Sequence, residues 1–301
     1  MNCVSGVLSA SDIKQAMARH EIAISPYEES NLSPVGYNFS FSEFIFSVNS
    51  QLMVEQKFDP NNSEIYCIIS PHDTVLILSR EAIWISDNYI GTFHTKVSVV
   101  SKGFGHISTT LDPNWEGILL FSLNNPTNKK IKIVIGKKGL DSIKYNTFVT
   151  LILYKLISPS DRDSDNHSSR LELLRGLFQR KNSKLLQCIS GIEDMEGEPI
   201  QIGQSNNYQD RQDRITRFNS KYQSYPQRIE NFLDRAKKLT IQSQRRRVSI
   251  RVAVVLGVIM LGIYAYIKNI PSLISLLALI AAILLYMWDF IGGKNFNDFK
   301  S

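Results

Sequence analysis

Near its C-terminal end the chain all but runs out of charge, and that limits what it can fold into. No residue from Val252 to Ile267 is charged, and after Lys268 a second uncharged run extends from Asn269 to Trp288. At about 1.5 Å per helical residue the first run gives roughly 24 Å and the second roughly 30 Å, against a hydrocarbon core of about 30 Å. The second can cross a bilayer unaided, and the first needs its flanks or a thinned bilayer. Lys268-Asn269-Ile270-Pro271-Ser272 supplies the reversal between them, with Pro271 suited to the first turn of the returning helix. The other reading, a buried hairpin in a soluble core, leaves little polar chain after Trp288 to cover it.

The flanks set an orientation. Arg245, Arg246, Arg247 and Arg251 precede the first run, Lys294 and Lys300 follow the second, and Lys268 alone sits at the tip. The positive-inside rule then places both ends in the cytoplasm, with Tyr264, Tyr266, Tyr286 and Trp288 near the interfaces. No acidic or basic residue lies mid-span, so no ion relay is expected. The expectation is a multi-pass protein of the cytoplasmic membrane, its N-terminal domain and C-terminus on the cytoplasmic side and the lipid bilayer its first partner. The opening Met1-Asn2-Cys3-Val4-Ser5 lacks a basic region leading into an apolar run, so no signal peptide is predicted.

A net charge of +6 suits an anionic lipid surface or a phosphorylated ligand. It lacks the dense Lys/Arg stripe of a duplex reader, so no nucleic acid is expected. Cys3, Cys67 and Cys188 are odd in number and widely spaced, which argues against a disulfide framework.

Before the uncharged runs, residues 1–158 alternate apolar and polar in short stretches: Phe41–Val48, Glu64–Ser70, Thr74–Ser79, Gly117–Asn124, Lys129–Gly136 and Asn146–Leu156. Short strands so closely spaced predict an all-β barrel or sandwich. One helix opens it, capped by Ser9 or Ser11 ahead of Ile13, Ala16 and Met17. A polar linker at 159–170 leads into a helical and looped connector at 171–213, polar and looped from Gly197 to Asp213. A helical stalk at 214–250, the hairpin at 251–291 and a tail at 292–301 complete the chain. Within the stalk Ile215, Phe218, Tyr222, Tyr225, Ile229, Phe232, Ala236 and Leu239 step by threes and fours, interrupted by Pro226, with Ser224 a cap for the helix that restarts there. Two readings fit the stripe equally: a coiled coil that makes a stalked oligomer, or a single amphipathic helix packed on its own domain or on the bilayer.

The five histidines (His20, His72, His94, His106, His167) are scattered, and neither Cys-x-x-Cys nor His-x-Glu occurs. No metal-ligand set is predicted, and zinc-dependent deamination is excluded. No Walker-type loop or Gly-x-Gly-x-x-Gly follows a strand.

Several segments, in order, resemble the trimeric dCTP deaminase and dUTPase superfamily, whose members work without zinc. They are Gly6-Val7-Leu8-Ser9-Ala10-Ser11-Asp12-Ile13-Lys14, Ile24-Ser25-Pro26-Tyr27, Asn31-Leu32-Ser33-Pro34-Val35-Gly36-Tyr37-Asn38, Ile69-Ser70-Pro71-His72-Asp73-Thr74-Val75-Leu76 and Leu111-Asp112-Pro113-Asn114-Trp115-Glu116-Gly117. The resemblance covers about residues 6–158. It implies a mainly β, distorted jelly-roll or barrel domain, a homotrimer, and deoxynucleotide sites at subunit interfaces.

The resemblance also shows where the chemistry departs. The deaminases carry Arg-Ser-Ser-Leu-Ala-Arg on the triphosphate; here the stretch is Lys96-Val97-Ser98-Val99-Val100-Ser101. Lys96 can meet a phosphate as a point charge without bidentate geometry, and Ser101 stands at the second arginine. The general-base glutamate falls at Ser122, and no carboxylate lies from Ile118 to Asn125. Asp112 matches the dUTPase aspartate that contacts the sugar and orients water, and Trp115 the aromatic beneath deoxyribose. The nucleotide-binding set implied is Lys96, Ser98, Asp112 and Trp115, with Asp112 catalytic only if the protein is active. Mg²⁺ on the nucleotide is required only in that case, and no other cofactor is expected. The expected function is a catalytically inactive nucleotide or partner sensor on a membrane hairpin, an architecture resembling bacterial antiviral effectors. The alternative is an active membrane-tethered dUTP/dCTP nucleotidohydrolase or deaminase.

Overall fold

The structure is a computed structural model and describes residues 5–105, 108–140, 142–160, 208–227, 229–231 and 260. The chain divides into two compact units, Met1–Ala236 and Lys237–Ser301. Apart from Met260 the uncharged runs lie outside the described residues, as do the linker, most of the connector and the end of the stalk. Among the described residues no helix is long and apolar enough to cross a membrane.

The first unit is mainly β. Its strands are β1 (Gly6–Val7), β2 (Ile22–Ser25), β3 (Leu32–Ser33), β4 (Gly36–Ser47), β5 (Leu52–Met53), β6 (Lys57–Asp59), β7 (Glu64–Ile69), β8 (Thr74–Ile85), β9 (Tyr89–Thr95), β10 (Ser108–Leu111), β11 (Glu116–Asn124), β12 (Ile131–Lys138), β13 (Ile143–Tyr145) and β14 (Thr147–Lys155). One sheet runs β10-β9-β14-β4-β8-β11, with β1 on β14, β2 on β8, and β3 and β5 on β4; the other runs β13-β12-β7-β6. Helix α1 (Ala10–Ala18) is closed by a capping box between Ser9 and Asp12, so Ser9 rather than Ser11 is the cap.

Strand β4 carries the architecture because its two halves have different partners. Tyr37–Ser40 pairs with β14, and Phe41–Ser47 with β8. The β4–β8 ladder slips between Phe41 and Ile45, and the β8–β11 ladder between Ile118 and Leu120. A slip strands backbone groups that must still find partners, and side chains supply them. At the slips Ser79 Oγ accepts from Leu119 N (3.0 Å) and Ser42 Oγ donates to Leu78 O (2.6 Å); where β4 passes from β14 to β8, the Glu81 carboxylate accepts from Ser40 N (2.9 Å). The side chains of Ser42, Ser79 and Glu81 are therefore part of the fold, although they sit in an apolar strand context.

Both faces of β4 and β8 are covered. One face belongs to the main core, where ring contacts run Tyr37–Phe39–Phe93–Phe121–Phe148–Phe41. The other holds Phe44, Phe46, Leu78, Ala82, Trp84 and Ile118, packed against Phe218, Tyr222, Tyr225 and Ile229. Two-sided burial accounts for the near-continuous apolar composition of β8.

The stripe from Ile215 to Ile229 thus packs on its own domain, and the coiled-coil reading does not describe these residues. Helix α3 (Tyr208–Tyr222) also begins inside the stretch expected to be looped. A turn at Gln223–Ser224 follows, and helix resumes at Tyr225 beside Pro226, close to where the proline predicted a restart. Arg211 reaches Glu21 (3.3 Å), Lys221 reaches Glu116 (3.5 Å), and the Arg214 guanidinium lies 5.1 Å from the Trp84 ring. Each ion pair contributes roughly 1 kcal/mol or less, so the buried rings dominate. Alanine at Phe218, which is fully buried, is expected to raise amide exchange across α3 at least about tenfold. Hydrogen-exchange mass spectrometry of the full chain checks this, with β7 and β12 unchanged.

Candidate functional site

The pocket forms where the two sheets meet, and Asn146 is the joint. Its backbone N donates to Ile135 O (2.7 Å), its backbone O accepts from Phe41 N (3.0 Å), and its side-chain Nδ2 donates to Val134 O (3.0 Å). One residue therefore ties β12 to β4 just ahead of β14. The chain leaving β9 supplies the opposite wall. Lys96 N donates to Phe148 O (2.9 Å), which holds that exit against β14. A single turn, α2 (Val97–Val100), follows, and Gly103 at φ 98° reverses the chain toward buried Phe104.

These elements enclose about 350 Å³, lined by Lys96, Ser98, Lys102, Asn146 and Thr147 over an apolar floor that includes Phe41 and Phe104. Lys96 Nζ donates to Thr147 Oγ1 (2.7 Å), and burial pulls the Lys96 amine below the ordinary lysine range. Every charged group among the described lining residues is a cation. Such a surface suits an anion, with hydroxyl and amide groups to orient it.

Of the four residues expected to bind nucleotide, Lys96 and Ser98 line this pocket, and Asp112 and Trp115 do not. Asp112 is half-buried in the turn between β10 and β11, where its carbonyl accepts from Trp115 N (3.3 Å) and Asn114 adopts φ 61°. The Trp115 ring packs in the main core at 5% exposure. Ser122 lies on β11 opposite Leu76.

Sequence reasoning missed Lys102, Asn146 and Thr147. Lys102 stands one position beyond Ser101, where the resemblance places an arginine, and the turn Val99–Gly103 brings it to the same wall as Lys96. Its six-residue spacing from Lys96 was the available signal. Asn146 and Thr147 carried none, because their role depends on β12 and β14 converging.

Fold and site together define a mainly β domain with a basic pocket at the junction of two sheets. A family model described as dCTP deaminase-like matches residues 7–138. A dCTP deaminase of Pyrococcus horikoshii is 26% identical over 141 residues, 47% of this chain and 80% of that protein. The Pyrococcus abyssi dCTP deaminase is 30% identical over 113 residues, 38% of this chain and 69% of that protein. The crystal structure of 2'-deoxycytidine 5'-triphosphate deaminase from Agrobacterium tumefaciens matches with a TM-score of 0.37 at 9% identity, covering 50% of this chain and 48% of that one. The chain belongs to the dCTP deaminase-like family.

Proposed function

We propose that this chain is a nucleotide-binding member of its family that has lost deaminase chemistry and senses a nucleotide, or a partner presenting one, on a membrane. The observation that carries the reading is the makeup of the pocket: two lysines, neutral hydroxyl and amide groups, and no carboxylate among its described lining residues. An anion can be held there. Activating a water for attack on a cytosine ring needs a base of suitable pKa within reach, and β11 offers Ser122 where the resemblance asks for glutamate.

Helix α3 supports the sensor half of the reading. It docks on β2 and β8, in an apolar cluster that also holds Phe44 and Phe46 of β4, and β4 also supplies Phe41 to the pocket floor. A shift in β4 on ligand binding therefore has a packed route to α3, with the uncharged runs further along the chain as the membrane element. A homotrimer, with ligand sites shared between copies, completes the proposal; native mass spectrometry of the detergent-solubilised chain reads the copy number.

The deciding experiment incubates the full chain in detergent with dCTP, dUTP and Mg²⁺ and resolves the products by chromatography. The expected result is neither ammonia nor pyrophosphate release, together with a ligand-dependent rise in melting temperature. Turnover that disappears in Asp112→Asn would replace this reading with that of a membrane-tethered enzyme.

A further inference from the structure

For an active member the superfamily resemblance implies Mg²⁺ on the phosphates of the nucleotide, but the residues around this pocket do not suit that ion. Mg²⁺ keeps near-octahedral oxygen coordination and is usually bound through one or two carboxylates together with phosphate oxygens. The described lining residues offer only neutral oxygens. Thr147 Oγ1 already accepts from Lys96 Nζ, and the Asn146 side chain is anchored through its Nδ2 to Val134 O. Among the described residues, no group of three or more His, Cys, Asp or Glu is placed to hold a metal.

The charges point the same way. Lys96 and Lys102 both line the pocket, and two ammonium groups repel a divalent cation while they attract a bare phosphate. Lys96 is half-buried, and among the described residues its ammonium meets the neutral Thr147 hydroxyl and no carboxylate. Desolvation there works against the ammonium form, so an incoming oxyanion supplies the counter-charge this group lacks. Lys102 is exposed on its turn and can follow the ligand as a mobile point charge.

Resting on the pocket reading above, we propose that this pocket takes its phosphorylated ligand as the metal-free anion. Lys96 and Lys102 supply the neutralisation that Mg²⁺ would otherwise give. The discriminating observation is the direction of the metal effect, since chelating Mg²⁺ weakens a site that needs it and strengthens one that competes with it.

The test is calorimetry of the full chain in detergent with dCTP, dUTP and inorganic tripolyphosphate, each in EDTA and in excess Mg²⁺. Affinity in EDTA is expected to exceed that in Mg²⁺ by about tenfold for at least one of the three. Lys102→Ala, at an exposed turn position where folding should be unaffected, is expected to weaken binding at least about tenfold. Binding seen only with Mg²⁺, or undiminished in Lys102→Ala, overturns the proposal and leaves the pocket reading standing. Absence of binding by all three probes in both conditions removes the pocket reading itself and this proposal with it.

Discussion

Phe148→Ala is expected to cost about 3–5 kcal/mol of folding stability, a large share of what a domain of this size possesses. Phe148 is 1% exposed on β14 and touches two rings, stacking on Phe41 (4.4 Å between centroids) and meeting Phe121 edge-on (5.2 Å). Alanine would leave a cavity between β4, β11 and β14, three strands drawn from distant parts of the chain, so no local rearrangement can fill it. The consequence reaches the pocket, because Phe41 forms part of its floor and Phe148 O holds Lys96 N. Phe148→Leu preserves most of the volume and should cost less than half as much. Chemical denaturation of the full chain reads the stability, and equal costs for the two variants would show that the site collapses around the loss.

A second large effect is expected at Glu81. This carboxyl is 1% exposed, and burial lifts it from the ordinary glutamate value of 4.5 to about 7, even though Ser40 N bonds to it. For an acid raised in this way the folded state binds the proton more tightly than the unfolded chain does. Its contribution to stability is therefore present below about pH 4.5 and is lost as pH rises through about 7. The loss is on the order of 3 kcal/mol across that window. Glu81→Gln keeps an acceptor for Ser40 N and does not titrate, so its stability should vary less between pH 5 and pH 8 than that of the native chain. Glu81→Leu should be destabilising at every pH, by about 1–3 kcal/mol, because Ser40 N loses its partner inside the sheet. Parallel pH dependence for the native chain and Glu81→Gln would show that Glu81 titrates at its ordinary value.

The strands that sequence reasoning located are those whose signal is local. Alternation placed β7, β11, β12 and β14 close to their observed bounds, but it caught β4 only from Phe41 although the strand begins at Gly36; one buried face imposes a period of two on the side chains. The alternating stretch read from Thr74 to Ser79 covers only half of β8, which runs on through Arg80 and Glu81 to Ile85. Glu81 is retained inside the sheet because its carboxylate takes up Ser40 N, at the point where β4 passes from β14 to β8, beside the β4–β8 slip. No local pattern announces a slip between strands so far apart in the chain.

The pocket divides in the same way. Lys96 and Ser98 were legible because they sit in a segment with a recognisable order of residues. Lys102 needed the turn at Gly103 to be seen, and Asn146 needed β12 and β14 to be brought together. Asp112 and Trp115 belong to the same recognisable order, yet they fall in a turn and in the core, away from the pocket lining.

What the sequence by itself determined was composition and period: a mainly β N-terminal half, an opening helix capped by Ser9 or Ser11, a carboxylate-free β11 core, and the stripe from Ile215 to Ile229. Only the tertiary structure decided what that stripe meets. Periodicity records that a face must be buried but carries nothing about its partner, and here the partner is the far side of β4, β8 and β11. It likewise decided which cations share a pocket, because proximity between Lys102 and Asn146 is a property of two converging sheets and of no segment taken alone.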